Sequence, residues 1–549
     1  MNEELFDYII VGAGSAGCVL ASRLSENPDV RVLLLEAGAS DRRLDVALPL
    51  AVSRLWPNPT LTWGFMSEPQ QQLNGRSIPV ARGKMLGGTS SLNGMMAIRG
   101  HARDYDGWAA QGLSGWSYAE VLPYFRRLES HWRGASEFHG TDGPVTVSPH
   151  PAPSPLLERA RAAATLAGFP LTDDFNGERT DGFGMPDFTV DANGRRASTS
   201  AAYLKPARNR SNLAIRTRAT AERVLFNGRE ADGVAYHIDG VRRMARAQRE
   251  VILCGGAINS PQLLMLSGVG PAEQLRTLGI EVVADRMEVG ENLVDHPGAG
   301  MELRLEPAWG FESNLRFDRA VRAFFSWLLR GQGVMGAPPV VISANVATRP
   351  ADPEVDLHFL LIPLAMESRL WFPGVRSPHG AAMGAMWSLN YPRSRGHVRL
   401  KSPHFLDHPA IDFRLLADPF DQREMVRGFR ILRDLLRQPP LAELLGEMVR
   451  PVTEPVTDDE IMAYVRETAA TAYHPACTCR MGADPDSVVD GELRVRGVNR
   501  LRVVDASVFP TLPGGNTNLP VIMVAEKAAD LIRGRQTTAT PAPAEATAT

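Results

Sequence analysis

A chain of 549 residues is too long for one ordinary core and calls for two domains. Its 44% hydrophobic and 22% charged residues are those of a globular protein, which excludes disordered and collagen-like classes. The formal charge of -3 comes from 59 basic and 62 acidic residues spread along the chain, so no one-sign field is expected to steer nucleic acid or an anionic membrane.

The amino terminus is acidic and runs straight into a strand pattern, without the basic and apolar regions of a secretory signal. Only Cys18, Cys254, Cys477 and Cys479 are present, few and mostly far apart, which fits a reducing compartment, and a cytoplasmic location is expected. Residues 6–11 read as a strand, residues 16–24 as a helix with one apolar face, and residues 30–35 as a second apolar strand ending in Glu36. Between the first strand and the helix lies Gly12-Ala13-Gly14-Ser15-Ala16-Gly17, a GxGxxG turn. Glycine there permits the tight turn, the approach of a phosphate and the packing of helix on strand, and the free N–H groups of the helix start suit a pyrophosphate. Glu36, 19 residues after Gly17, is placed to accept from ribose hydroxyls, and its charge would repel the extra phosphate of NADP. At this point NAD and FAD remain equally open.

Residues 82–93 are again rich in Gly and Ser. Near 250 the strand-like Val251-Ile252-Leu253-Cys254 leads into a Gly-Gly turn and a helix. A third such junction starts at Leu501, passes through a Pro/Gly loop and ends in a helix over 519–533. Recurrence at such distances predicts one nucleotide domain assembled from residues 1–152, 190–300 and 470–535. Residues 153–189 and 301–469 are left for a second domain, with an alternating run at 397–400 and an amphipathic helix at 423–436. Two uncharged runs, 251–272 and 506–525, have the length of a membrane span but are interrupted by Gly, Pro, Asn and Ser, so no transmembrane segment is expected. The segment 321–329 is expected to be a core-facing helix in preference to a lid or a membrane contact. Residues 536–549 hold almost only Thr, Ala, Pro and Glu and should be a disordered tail.

The run Gly83-Lys84-Met85-Leu86-Gly87-Gly88-Thr89-Ser90-Ser91-Leu92-Asn93 resembles the first signature of the glucose-methanol-choline (GMC) oxidoreductases, and the run from Gly256 to Gly270 is similar to the second. The resemblance extends from residue 6 to about 533. It implies FAD and a fold in two parts. One is an α/β, Rossmann-like FAD-binding domain; interleaved with it is an α+β substrate-binding domain containing a mostly antiparallel sheet covered by helices. The implied cofactor-binding residues are Gly12, Gly14, Ser15, Ala16, Gly17, Glu36, Ala37, Gly83, Met85, Gly87, Gly88, Ser91, Asn93, Gly94, Met95, Val224, Asp505, Ala506, Asn516 and Thr517. For Asp505 a turn cap is an equally weighted expectation. Some family members tether FAD through a His in the first signature; none lies between Gly83 and Gly100 here, so non-covalent FAD is expected.

Ala472-Tyr473-His474-Pro475-Ala476-Cys477-Thr478-Cys479-Arg480-Met481-Gly482 resembles the segment carrying the family's catalytic His, and Asn516 stands where relatives have His or Asn facing the flavin. An imidazole titrates near neutrality and suits a general base, while an amide holds a substrate oxygen without titrating. Cys477-Thr478-Cys479 has one intervening residue and no second pair, so buried thiols and no metal are expected. The implied reaction is alcohol to aldehyde, with the hydride going to flavin N5, the proton to His474, and the electrons to oxygen or to a quinone or protein acceptor. A quaternary ammonium wants an acid or an aromatic cage. The stretch Val340-Val341-Ile342-Ser343-Ala344-Asn345 offers no acid, so a neutral primary alcohol is expected, with choline dehydrogenase proper and an FAD-containing hydroxynitrile lyase as the alternatives. Oligomeric state is not legible.

Overall fold

The protein is described from a computed structural model covering residues 4–152, 154–340, 342–349, 352–365 and 367–535; the expected tail and Val341 lie outside these. The strand Glu4–Val11 carries β-branched and aromatic side chains that are buried from Phe6 onward. It is central in the first sheet, whose order is Leu213–Arg216, Val32–Leu35, Glu4–Val11, Val241–Leu253, Glu230–Ile238 and Ala219–Asn227. The pairs on either side of the central strand are parallel, and Leu501–Val503 adds in parallel to the end of Val241–Leu253.

Register places the site. Val11 pairs with Leu35 and with Leu253, and Leu253 with Val503, so four strands end level with one another. The residues that follow, Gly12, Glu36, Cys254 and Val504, therefore emerge together at the C-terminal edge of the parallel strands, the edge at which open α/β sheets bind ligands. The helices Ser15–Leu24 and Asn518–Arg533 pack on one another, with Arg23 donating to both carboxylate oxygens of the buried Glu526 at 3.1 and 3.0 Å. Buried charge is paired there, which avoids the penalty of an isolated ion.

The second sheet is antiparallel throughout, in the order Leu445–Arg450, Pro297–Leu305, Ala382–Leu389, Asp352–Ile362, Ile342–Arg349 and Gly182–Gly184, with Ala470–Thr471 beside Pro297. Two boundary segments, 297–300 and 470–471, thus belong to this sheet and not to the first. The helix Pro419–Leu436 covers its outer face; Gly428 lets it approach so closely that a Cβ there would meet Trp387 Cδ1 at 2.6 Å.

Residues 317–330 form the expected helix, but they do not face a core all round. Ala320 and Trp327 are buried, and Trp327 Nε1 donates to the Gly194 carbonyl at 2.6 Å. Phe317, Val321, Phe325 and Leu329 stand at 52%, 37%, 53% and 78% exposure, which overturns the core-facing expectation for that side. Four-residue spacing produced one apolar stripe, and the globule filled only the neighbouring one. Among the described residues no helix is long and apolar enough to cross a membrane.

Candidate active site

Between the C-terminal edge of the first sheet and the inner face of the second lies a cavity of about 780 Å³. On the first side it is bounded by the Gly-rich turn. Gly12 has φ +101° and lies so close to Cys254 that a Cβ would meet the Cys254 carbonyl oxygen at 2.5 Å. The end of the strand Val241–Leu253 and the turn at Gly12 are thus packed backbone to backbone. Gly17 allows the helix to sit on this turn, since its Cβ would fall 1.9 Å from the Gly12 carbonyl oxygen. The helix Ser15–Leu24 begins with no side-chain cap and no acid in its first turn, and so does the helix Asn518–Arg533. Both starts border the cavity, so two sets of unpaired N–H donors and two positive dipole ends face it. Ser15 Oγ donates to Asn518 Oδ1 at 2.7 Å and ties the two starts together.

Glu36 closes the far end of this side. Its carboxylate accepts from Ala13 N at 2.9 Å and Gly38 N at 2.7 Å, and burial pushes it up to about 7. Gly83, Gly88, Asn93, Gly94 and Met95 line the cavity as well; a Cβ on Gly94 would meet nothing within 4 Å, so the backbone there is open to a flat ring. These features fit FAD: backbone donors for the phosphates, an acid for a ribose, and bare glycine backbone beside the space a ring would take.

His474 follows Tyr473, which has φ 64°, and this left-handed residue turns the imidazole into the cavity. His474 N donates to Asp295 Oδ1 at 2.9 Å, Asn516 Nδ2 lies 3.2 Å from His474 Nε2, and His296 Nδ1 lies 3.0 Å from His474 Nδ1. With the Asn516 amide donating to Nε2, the proton of the neutral ring sits on Nδ1 and goes to His296, and the single Nε2 lone pair is held by an amide N–H that a substrate hydroxyl can displace. Burial, and then His296, Arg82 and His358, hold His474 well below the usual imidazole range. Burial likewise draws His296 down to about 3 and pushes Asp295 up to about 7. Asn516 Oδ1 is buried without a partner among the described residues. A buried polar atom left unsatisfied beside an amide–imidazole pair marks a site for a polar group from outside the chain.

The second sheet supplies the opposite wall in rows. Gly298, Ser388 and His358 form the row nearest His474; Gly300, Met386 and Leu360 the next; Glu302, Gly384 and Ile362 the farthest. Tyr464 OH donates to the Gly300 carbonyl at 2.6 Å and lines the same end as Glu302. Glu302 is buried, and among the described residues its carboxylate makes no hydrogen bond or ion pair; it is the acid on this wall.

Of the residues expected from sequence, Gly12, Gly14, Ser15, Ala16, Glu36, Ala37, Gly83, Gly88, Asn93, Gly94, Met95, His474, Asp505, Ala506, Asn516 and Thr517 line this cavity. Gly17, Met85, Gly87, Ser91 and Val224 do not. Gly17 packs on Gly12, Met85 is buried in a small apolar cluster with Val46, Leu55, Leu61 and Leu92, and Ser91 Oγ donates to the Leu86 carbonyl at 2.9 Å. Gly87, with φ +82°, turns the loop behind Ser91. Val224 N donates to Ser267 Oγ at 2.9 Å, away from the cavity, and Ala219, Thr220 and Ala221 of the same strand take its place. Asp505 borders the cavity but spends both oxygens internally, on Ser507 N at 2.8 Å and on Gly256 N at 2.8 Å, as a cap and clamp.

His296, Asp295, Arg82, His358, Ser388 and Glu302 were missed by sequence reasoning; a signal existed only for the first two, in the Asp295-His296-Pro297 triplet at the head of a strand. All four cysteines are buried free thiols. One buried group of metal-type side chains, Glu129, His131 and His139, lies outside the cavity. Its Glu129 accepts from Arg99 Nη2 at 2.5 Å, so a guanidinium already supplies the positive charge there.

Comparison with known proteins places the whole chain. Two family models described as GMC oxidoreductase match residues 6–298 and 392–525. The chain is 45% identical over 544 residues to the oxygen-dependent choline dehydrogenase of Paraburkholderia phytofirmans, covering 98% of this chain and 96% of that one. It is also 45% identical over 552 residues to the protein of the same name from Pseudomonas fluorescens, covering 98% and 95%. Among solved structures, pyridoxine 4-oxidase from Mesorbium loti superposes with TM-score 0.86 at 30% identity over 98% of this chain and 100% of that one. A formate oxidase variant from Aspergillus oryzae gives TM-score 0.90 at 28% identity over 97% and 99%.

Proposed function

The chain belongs to the GMC oxidoreductase family and is an FAD-dependent alcohol oxidoreductase, and from that premise we propose that it converts a primary alcohol to an aldehyde with His474 as the base. The observation that carries this reading is the pairing of His474 Nε2, an acceptor, with Asn516 Nδ2, a donor, 3.2 Å apart at the cavity, the two groups one hydroxyl needs. FAD, when bound, supplies the hydride acceptor. A hydroxyl that displaces the amide from Nε2 accepts from Asn516 Nδ2 and donates to His474 Nε2, which takes its proton, and the imidazolium formed is oriented through Nδ1 by His296. Burial of His474 keeps it neutral and ready to accept at pH values where an exposed imidazole is already charged. The wall glycines and Met386 position the carbinol carbon and keep water from the reacting bond. The absence of a His in the Gly83–Asn93 loop supports FAD held without a covalent link.

The substrate's reacting end is proposed to be neutral, because the row nearest His474 offers Gly298, Ser388 and His358 and no acid. Choline is the second reading, favoured by the names of the relatives. Against it stands distance. Glu302 is four strand residues beyond Gly298, roughly 13 Å along the chain, whereas the cation of choline lies about 4 Å from its hydroxyl. None of the relatives described above is named a lyase, and the hydroxynitrile lyase reading has no support in them.

The test is anaerobic bleaching of the bound flavin with a panel of primary alcohols, choline included. Bleaching by neutral alcohols supports the proposal; bleaching by choline alone moves the assignment to the second reading. A flavin that no alcohol bleaches overturns both. The oxygen or quinone acceptor is read from hydrogen peroxide yield against quinone reduction with the alcohol that bleaches fastest.

A further inference from the structure

The exposed stripe of the helix Phe317–Arg330 continues onto a neighbouring segment. Phe317 N donates to the Trp371 carbonyl at 2.8 Å, and the Phe317 and Phe372 rings lie 6.3 Å apart edge to face. Leu370, Phe372 and Val375 are 41%, 46% and 82% exposed, so seven large apolar side chains from two segments share one face. The side of the helix opposite the stripe is anchored, through Trp327 and Ala320, on Leu48 and Leu50. The stripe is therefore held outward by packing behind it.

Charge identifies what the face meets. Residues 316–330 and 369–376 contain six arginines, Arg316, Arg319, Arg322, Arg330, Arg369 and Arg376, and one acid, Asp318. Asp318 is consumed by Arg316, both oxygens accepting at 2.6 Å. The remaining five arginines are exposed. The nearby Glu367 pairs with Arg450, and Glu312 is buried and accepts from Ser368 Oγ at 2.7 Å. Although the whole chain's charge of -3 gave no expectation of a field for an anionic membrane, the exposed apolar stripe is thus flanked locally by a net excess of arginine. A soluble protein partner would need matching pockets and acids; a bilayer with anionic headgroups offers both the apolar depth and the negative surface over a plane.

We propose that this face is a docking surface for an anionic lipid bilayer, with the helix lying in the plane of the interface, its stripe in the acyl boundary and its arginines among the phosphates. Docking here has a use for the cavity. Leu50, packed against the helix, also lines the cavity, as do Leu364 and Ser368 at the start of the second segment. The bilayer would lie against the cavity wall, so lipid-dissolved substrates or acceptors reach it without crossing water. The surface is independent of which alcohol is oxidised.

The experiment is sedimentation of the full-length flavoprotein with vesicles of phosphatidylcholine alone or of phosphatidylcholine containing phosphatidylglycerol. The expected result is binding to the anionic vesicles, weakened by salt and reduced at least about tenfold in Phe325→Glu/Leu329→Glu and in Arg319→Glu/Arg322→Glu. Both variants retain bound flavin and its bleaching rate by a short soluble alcohol. If that bleaching is absent in the wild type while vesicle binding is as described, the alcohol reading fails and the docking surface stands. Wild type remaining in the supernatant, equal binding to both vesicle types, or unchanged binding by the Phe325→Glu/Leu329→Glu variant overturns the proposal. So does a wild-type dimer, lost in that variant, that does not bind vesicles, which assigns the face to a second copy of the chain.

Discussion

His296 Nδ1 and His474 Nδ1 face each other at 3.0 Å. Between two neutral rings such a contact requires one donor and one acceptor, so each imidazole sets the other's tautomer. Replacing His296 by Asn is expected to lower kcat less than removal of His474 does. It is also expected to raise the acid limb of kcat/KM, because a group that holds His474 below its ordinary range is gone. The sign follows from the base form. Activity falls where His474 gains a proton, so a depressed imidazole keeps the wild type active well below pH 6.5. A pH profile of His296→Asn whose limb moves upward by roughly one unit fits; an unmoved limb assigns the low value to burial with Arg82 and His358.

His474→Ala removes the lone pair at the cavity. Turnover of the best alcohol is expected to fall by about 10²- to 10⁴-fold while bound flavin is retained, measured by stopped-flow bleaching. Unchanged bleaching would assign the proton to another group.

Glu302→Gln separates the far end of the cavity from the reacting end. For short neutral alcohols kcat/KM is expected to stay within about twofold. For long alcohols ending in an ammonium KM rises several-fold, since a buried carboxylate near the Tyr464 ring is then no longer available to the cation. Equal effects on both substrate types would place Glu302 in the fold and not in selection.

Gly17→Ala puts a methyl 1.9 Å from the Gly12 carbonyl oxygen, where only backbone can yield. The expected cost is about 1–3 kcal/mol and a loss of flavin on gel filtration, although Gly17 does not line the cavity. Full retention of flavin would show that the turn moves freely.

His358 is drawn down to about 4 by burial. A His that charges only on unfolding binds more protons in the unfolded chain between about pH 4 and 6.5, so its contribution makes stability rise with pH across that window. In the flavin-free protein, His358→Gln is expected to flatten the fall of Tm as pH drops from 6.5 to about 4. An unchanged slope would show that other groups set it.

The parallel strands, the Gly12 turn and the paired His474 and Asn516 were legible because their chemistry is written locally or in long signatures. What was not legible came from distance or from the other half of a contact. His296 lies 178 residues before His474 in the chain, and only the fold brings their rings together. Met85 and Ser91 sit inside a signature loop, yet they shape it from behind, because motif membership does not say which way a side chain points. Val224 lies three positions past Ala221 on one strand, beyond a register shift, where its backbone N–H is spent on Ser267 and not on the cavity. For residues 317–330 the period revealed an apolar stripe but not what it would meet.

Gly298, Gly300 and Gly384, one from each row of the wall, have a further meaning. Each is a place where evolution of a larger side chain would act as a stop, so the wall works as a ruler graduated in steps of about 6.6 Å, two strand residues at a time. Filling Gly300 would shorten the longest chain admitted, and filling Gly384 would trim only its tip. On the proposed reading, the length of chain admitted would be set at Gly300 and Gly384, with the row at Gly298 left as it is.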